Sequence, residues 1–478
     1  MNKAQMATWL EEHMKDFTVI SDAIWDQPEL GYKEFLASKL QMDFMKDQGF
    51  TITHDVAGMN TAFVAEWGEG KPIFGFAGEF DALPGLSQKP QPTPDPVEEG
   101  APGHGCGHNL LGVGCMAAAV GLKKWLQANA KSGTVRYYGC PAEEGGAGKT
   151  FMARAGLFND LDLAFNYHPM SMNTAGKGSC VGVNHVRFAF HGKTAHAGGS
   201  PWEGRSALDA VELMNVGVNY LREHVTKDVR MHYVITNGGK APNIVPDEAE
   251  VWYYVRAHDP KNLNEVTDRV RDVARGAALM TSTEVEEIFE SATSSTLPNF
   301  HLADLHTETM MALGPITYTQ DELDYAATIN ESLDYDYEDL RKMIDRVKLS
   351  PEMKEKAQTL VGLPVIGEPL PPVDEGEIGG GSTDVGDLSR VVPCCELRTT
   401  CWAIGVPGHS WAVTATGKHS IGHKGMLYAA KVMASVAVEC IEHPEHIEKA
   451  WKEFHERQPE GYQCPIPEGI DPPRYQEK

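Results

Sequence analysis

Apolar positions recur along this chain in two rhythms, and the change from one to the other marks its parts. Met6 to Phe17 and Lys33 to Gln48 carry apolar residues at helical spacing, with the turn Pro28-Glu29-Leu30-Gly31 between them. Thr61 to Trp67 and Pro72 to Ala77 read as strands. The second is nearly all apolar, which predicts a central place in a sheet. It runs into Gly78-Glu79-Phe80-Asp81-Ala82-Leu83-Pro84, an acidic pair at the carboxyl end of a strand, where open α/β sheets hold their chemistry. Lys89 to Gly103 is rich in Pro and Gly and predicts a loop, and Leu110 to Ala130 predicts a long apolar helix. Two more strands follow. Thr134 to Gly139 ends in Cys140-Pro141-Ala142-Glu143-Glu144-Gly145-Gly146, and Leu163 to Tyr167 ends in His168-Pro169.

From about Asn184 the order changes. His185 to Phe190 alternates as a strand, and Arg205 to Glu223 reads as a helix. Arg230 to Thr236 and Ala249 to Ala257 read as strands, Asn262 to Ala278 as a helix, and Thr283 to Phe289 as a strand. The order βαββαβ predicts a ferredoxin-like α+β unit inserted within an α/β chain. Residues 1–183 and 298–478 are thus expected to form a three-layer αβα catalytic domain, with residues 184–297 as an inserted lid or dimerisation domain. Residues 298–377 read as an acidic, irregular insertion with helices at Thr317 to Leu333 and Tyr337 to Val347. Beyond it come the Gly-rich turn Gly379 to Asp384 and an expected strand, Cys401 to Val406, ending in Pro407-Gly408-His409-Ser410-Trp411. A long helix over Ile421 to Ile441 precedes a polar tail, after Pro444, that is expected to be peripheral.

Charge and cysteine usage narrow the partners. The chain carries a formal −25, against which a nucleic acid or an anionic membrane has no basic surface to bind. An anionic substrate must therefore be held by a few placed cations. Nine cysteines, two of them the adjacent Cys394 and Cys395, predict reduced thiols and a cytoplasmic setting rather than a disulfide scaffold. Met1 to Phe17 lacks the apolar core of a signal peptide, and no run approaches the ~18 apolar residues of a membrane helix.

The chemistry gathers around Gly103-His104-Gly105-Cys106-Gly107-His108-Asn109. A thiolate and an imidazole separated by one glycine can bind one ion or two adjacent ions. Asp81, Cys106 with His108, the pair Glu143-Glu144, and His168 all fall at the ends of expected strands, as a metal centre on the rim of a sheet requires. Two adjacent carboxylates are costly unless a cation lies between them, so one is expected to bind metal and the other to act as a base. Amide hydrolysis fits such a set. A metal ion lowers the pKa of the water it holds to about 7, and a neighbouring carboxylate takes its proton and delivers it to the leaving amine. His104 is a possible further ligand. His419 and His423, four apart at a helix start, could chelate, but capping and packing is the preferred reading.

With Glu29-Leu30-Gly31, Asp81-Ala82-Leu83-Pro84, Cys106-Gly107-His108, Glu143-Glu144, Gly380-Gly381-Ser382-Thr383-Asp384 and His409-Ser410-Trp411 in order, the chain resembles the co-catalytic metallopeptidase and amidohydrolase family. That family includes aminoacylases and glutamate carboxypeptidase. The resemblance spans nearly the whole chain, and the motifs are most similar to the branch acting on aminobenzoyl-glutamate. It implies two divalent ions, zinc or manganese, on Cys106, His108, Glu144, His168 and His409. It implies Glu143 as general base and Asp81 as the carboxylate that orients a ligand. His196 would support the oxyanion from a partner subunit, for on the order of 2–4 kcal/mol. Asn243 and Arg256, expected near one another, would hold the substrate's carboxylate. The implied activity is hydrolysis of an N-acyl amino acid, an aromatic acyl-glutamate such as p-aminobenzoyl-glutamate or an acyl-aspartate, by a homodimer. The alternatives are a dipeptidase, a deacetylase, or a metal-binding protein that works only with a homologous partner subunit. Asn109 and Trp411 depart from the broad family, which has Asp and Pro there.

Overall fold

The computed structural model describes residues 1–346 and 350–476. The first apolar pattern forms two helices, not one. α1 (Lys3–Glu12) opens on a capping box between Asn2 and Gln5, and α2 (Met14–Asp26) starts after His13 leaves helical geometry at φ −104°, ψ 10°. α3 (Phe35–Asp47) then leads into β1 (Thr51–His54), β2 (Phe63–Glu69) and β3 (Ile73–Glu79). After the Pro/Gly-rich loop come α4 (His108–Asn129), β4 (Gly133–Cys140), α5 (Gly148–Arg154), β5 (Leu163–Met170) and the short β6 (Thr174–Ala175) and β7 (Ser179–Cys180).

The second rhythm forms β8 (Gly182–His191), α6 (Ala207–Leu221), β9 (Arg230–Asn237), β10 (Glu248–Ala257), α7 (Pro260–Thr281) and β11 (Glu284–Thr293). Their sheet is antiparallel throughout in the order β11-β8-β10-β9, which is the ferredoxin-like arrangement. Inward residues such as Val186, Phe188, Val251, Tyr253 and Val255 meet Val211, Met214, Val266 and Val270 of the two helices. This core contains no residue of the larger domain.

The chain continues through α8 (Phe300–Leu313), α9 (Gln320–Ser332), α10 (Glu338–Arg346), α11 (Pro351–Gln358), β12 (Ile378–Gly379) and α12 (Val385–Ser389). It ends with β13 (Cys394–Thr400), α13 (Trp411–Thr416), α14 (Ser420–Glu442) and α15 (Glu445–Arg457). The acidic stretch is helical rather than irregular, because α8 buries Leu302, Leu305 and Met310 in the main core. Val347, the expected last residue of a helix there, lies outside the described residues.

The large sheet runs β1-β2-β4-β3-β5-β13-β6, with the four central strands parallel. On one face the largely apolar α4 and α14 cover Phe74, Phe76, Phe165 and Leu397. On the other, α5 and α12 cover Ala77, Tyr138, Ala164 and Cys394. The architecture is thus a three-layer αβα domain carrying an α+β insertion.

Two expectations near the C-terminus fail. Cys401 to Val406 is a buried loop, and the strand lies just before it, pairing with β5 from Cys394–Ala164 to Thr400–Met170. Apolarity misled there: Cys401, Trp402 and Ile404 are apolar because they are buried, while Gly405 at φ +77° turns the backbone away. The tail after Pro444 is not simply peripheral either, since α15 buries Ala450 and Phe454 against the domain.

Candidate metal centre

Parallel strands β3, β4 and β5 end on the same rim, which collects Glu79 and Asp81, the Glu143-Glu144 pair, and His168. The amino end of α4 adds Cys106 and His108. Gly107 between them sits at φ +77°, and a Cβ there would come within 3.2 Å of Pro169 and Trp402. That glycine lets the chain turn tightly enough for both neighbours to face one centre. Ala142 (φ 58°) and His409 (φ 56°) adopt the same unfavourable left-handed backbone, one immediately before the glutamate pair and one at a candidate ligand. Such strain persists where the surroundings demand that geometry.

The side chains converge. Cys106, His108 and His168 form one group able to hold an ion, and Cys106, Glu144 and His409 form a second that shares the sulfur. Cys106 Sγ lies 3.4 Å from His168 Nε2, and His409 Nε2 lies 3.4 Å from Glu144 Oε2. Neighbouring donors on a tetrahedral zinc-sized ion stand about 3.3–3.6 Å apart, given bonds of about 2.0–2.3 Å. The residues therefore fit a pair of metal ions. Two buried atoms in the cluster, His108 Nε2 and Glu144 Oε1, have no hydrogen-bond partner, which is the signature of donors awaiting a cation.

The orientation of each ring is fixed from behind. His108 Nδ1 meets Asp81 Oδ1 at 3.0 Å, and His168 Nδ1 donates to Pro169 O at 2.8 Å, so both present Nε2 to the centre. Asp81 also accepts from Glu144 N at 2.9 Å. The His409 backbone N donates to Gly105 O at 3.0 Å, tying that loop to the organising stretch.

The electrostatics suit both roles assigned to the glutamates. Burial, with Glu79 and Glu144 nearby, holds Glu143 well above the usual carboxylate range. Burial likewise raises Glu144 to about 7. Burial opposes the charge of His108, but Cys106 and Asp81 outweigh it and raise that imidazole. Burial pushes the Cys106 thiol upward, so a proton and a metal compete for its sulfur.

Beneath the centre lies a residue that sequence reasoning passed over. Lys149, wholly buried, pairs with Glu79 at 2.7 Å and with Asp384. Burial works against its charge, but Asp384 and Glu79 keep it protonated. The available signal was a lysine in the otherwise uncharged Gly-Lys-Thr-Phe-Met run after the glutamate pair.

The histidines outside the centre divide as expected. His104 is buried, bonds Ile24 O at 3.2 Å, and belongs to neither group of candidate donors. His419 caps α14 and stacks on Tyr325, while His423 pairs with Asp22 at 2.8 Å. Asn109 donates to Ser21 Oγ and Gly417 O and faces packing partners.

The inserted domain separates its three candidates. His196 and Asn243 lie together, joined by the His196–Ile244 bridge and by Ala197 N donating to Asn243 O at 3.0 Å. His196 Nδ1 accepts from the backbone of Gly198 (3.1 Å) and Gly199 (3.0 Å), which leaves the proton on Nε2. Arg256, against expectation, is not near the Asn243 loop. It stands at the other end of β10, some eight residues and about 26 Å away. There its guanidinium contacts Ser382 and His232, and among the described residues no carboxylate pairs with it.

Comparison with known proteins decides the family. The profile of peptidase family M20/M25/M40 matches residues 75–349. One of the two related subunits of p-aminobenzoyl-glutamate hydrolase from Escherichia coli (strain K12) is 39% identical over 97% of both chains. The chain belongs to peptidase family M20/M25/M40. As a member of the M20 family it is a metal-dependent amidohydrolase. Mouse Xaa-Arg dipeptidase is 35% identical over 65% of this chain and 72% of its own. The other subunit of the Escherichia coli hydrolase is itself a relative, 26% identical over 50% of this chain and 57% of its own. In fold, the chain superposes on an aminobenzoyl-glutamate utilization protein from Klebsiella pneumoniae with a TM-score of 0.60 at 18% identity, covering 91% of this chain and 98% of the other. A Bacillus subtilis dinuclear metal binding peptidase of the M20 family gives 0.55 at 19% identity, covering 92% and 99%. No helix among the described residues is long and apolar enough to cross a membrane.

Proposed function

We propose that this M20 member hydrolyses the amide bond of an N-acyl amino acid, with an aromatic acyl-glutamate such as p-aminobenzoyl-glutamate as substrate. Cys106, His108 and His168 would hold one divalent ion, and Cys106, Glu144 and His409 the other. The observation that carries the reading is the position of Glu143, a raised, buried carboxylate beside two donor groups that share one sulfur. A protein that only bound metal would have no need of it. The thiolate favours zinc over manganese.

The ions, when bound, would polarise the scissile carbonyl and make a water nucleophilic at neutral pH. Every other step falls to side chains. Glu143 takes the proton from the attacking water and passes it to the leaving amine. Asp81 holds His108 in place throughout. His196, with its proton fixed on Nε2, donates to the developing oxyanion. Arg256, lacking a carboxylate of its own, is free to grip the α-carboxylate of the amino-acid half.

The same reading divides the chain at 184 and 297 into catalytic domain and lid, and it makes the lid a dimer contact. β9 is an edge strand, and Val234 and Ile235 on it, with Val216 and Tyr220 on α6, leave apolar surface exposed. A second copy of the chain would cover this surface and deliver His196 to its neighbour's centre. The two-subunit naming of the Escherichia coli hydrolase supports a second arrangement, in which a homologous chain takes the copy's place. Hydrolysis assays with the metal-loaded protein alone separate these. Turnover of p-aminobenzoyl-glutamate above that of acyl-aspartates and of Xaa-Arg dipeptides is expected. No turnover of any of them without a second type of subunit would overturn the homodimer reading.

A further inference from the structure

Glu79 ends β3 at the centre of the large sheet, wholly buried, with its two oxygens doing different things. Oε1 is 2.7 Å from the Lys149 ammonium, which also pairs with Asp384. Oε2 is 3.2 Å from His108 Nε2, the ring nitrogen turned toward the metal centre. These two atoms are close but not hydrogen-bonded, for Nε2 is left without a partner. The oxygen therefore lies off the axis along which the ring nitrogen points. Two ligands of one ion stand in that relation, side by side at about 3.3 Å and both aimed at a third point. Glu79, His108 and Glu143 accordingly form a third group of atoms close enough to share a cation.

We propose that Glu79 is a further protein ligand of the ion held by Cys106, His108 and His168, and that Lys149 is the positioning residue that turns its carboxylate there. The inference rests on the metal centre proposed above. It makes the two positions unequal. The His108 position gains a fourth protein donor and becomes closed, in the manner of a structural site. The Cys106–Glu144–His409 position keeps three and stays open to the substrate. Lys149 makes the arrangement tolerable, because a carboxylate in a dry interior beside Asp81, Glu143 and Asp384 needs a fixed cation before any ion arrives.

The test compares Co²⁺ uptake by the metal-free unmutated protein and by Glu79→Gln, using calorimetry and the visible absorption of bound Co²⁺. Two ions are expected in the unmutated protein. In Glu79→Gln one of them should bind about 10–100-fold more weakly. Its absorption should change shape, as it does when a ligand is lost, while the other ion is undisturbed. Unchanged affinities and spectra would overturn the inference. So would tighter binding, which would mean that Glu79 is a counter-ion competing with the metal for His108. If Glu79→Gln does not fold, Glu79→Asp keeps the charge facing Lys149 but withdraws the oxygen by one carbon, and the same loss is expected. Absence of ion uptake by the unmutated protein would sink the metal centre itself.

Discussion

His108 Nδ1 lies 3.0 Å from Asp81 Oδ1, and the other oxygen of that carboxylate accepts from Glu144 N at 2.9 Å. One side chain thus sets the ring plane of one candidate ligand and the backbone of another. Asp81→Asn keeps the shape but removes the charge and one acceptor. The variant is expected to fold and to lose about 10–100-fold in affinity for both ions, read by calorimetric titration. Undiminished affinity would show that the ligands orient themselves.

Glu143→Gln should retain both ions and lose nearly all turnover, since it removes a proton acceptor and no ligand. Metal analysis beside steady-state rates reads the two effects separately. Loss of an ion in this variant would exchange the roles of Glu143 and Glu144.

His196 lies past the far end of β8, roughly 30 Å along the sheet from the Gly182 end where the chain enters the insert. His196→Ala should therefore depress kcat without touching metal content. Mixing it with Glu143→Gln, each nearly inactive, should restore part of the rate after subunit exchange, because one site in the mixed dimer is whole. No recovery after exchange is verified by mass would place His196 in its own chain's chemistry or outside it.

Arg256→Lys replaces a planar fork by a point charge, which cannot bond a carboxylate through two parallel contacts. A fall in kcat/KM of about 10-fold or more is expected, equivalent to about 1.4 kcal/mol. The amide of the same substrate should be nearly inert with the unmutated enzyme. Equal cleavage of acid and amide would remove the carboxylate from the substrate assignment.

His306 is fully buried in α8, where it donates to Leu302 O at 2.7 Å, and burial lowers its pKa to about 4. Below the ordinary value of about 6.5 the unfolded chain takes up a proton there that the folded chain refuses. Its contribution to stability is complete above that pH and is lost as pH falls toward 4, up to about 3 kcal/mol. Urea midpoints should fall more steeply between about pH 6.5 and 4.5 in the unmutated protein than in His306→Phe. Parallel slopes would show that this imidazole titrates normally.

What the chain made legible was whatever its chemistry keeps local. Cys106, Gly107 and His108 are consecutive, and Glu143 and Glu144 adjacent, so their convergence could be read from strand ends alone. The Glu79–Lys149–Asp384 group could not, because its members come from β3, α5 and the turn before α12 and meet only when the sheet is complete. The position of Arg256 was misread for a related reason. Nearness of two motifs in sequence says nothing about which ends of a strand they occupy. Cys401 to Val406 shows the limit of apolar patterning, since burial without a ladder looks the same as burial within one.

β10 also has a length, and the length has a meaning. It is held straight by ladders to β8 on one side and β9 on the other, so its two ends, one beside the Asn243 loop and one bearing Arg256, cannot approach each other by flexing. The strand is a spacer bar between two gripping points. Shortening all the strands of the small sheet by two residues would preserve which side chains face inward, yet draw those points together by about 7 Å. The reach between neighbouring subunits, and with it the size of molecule spanning them, is therefore written in a count of backbone residues rather than in the lining of a pocket.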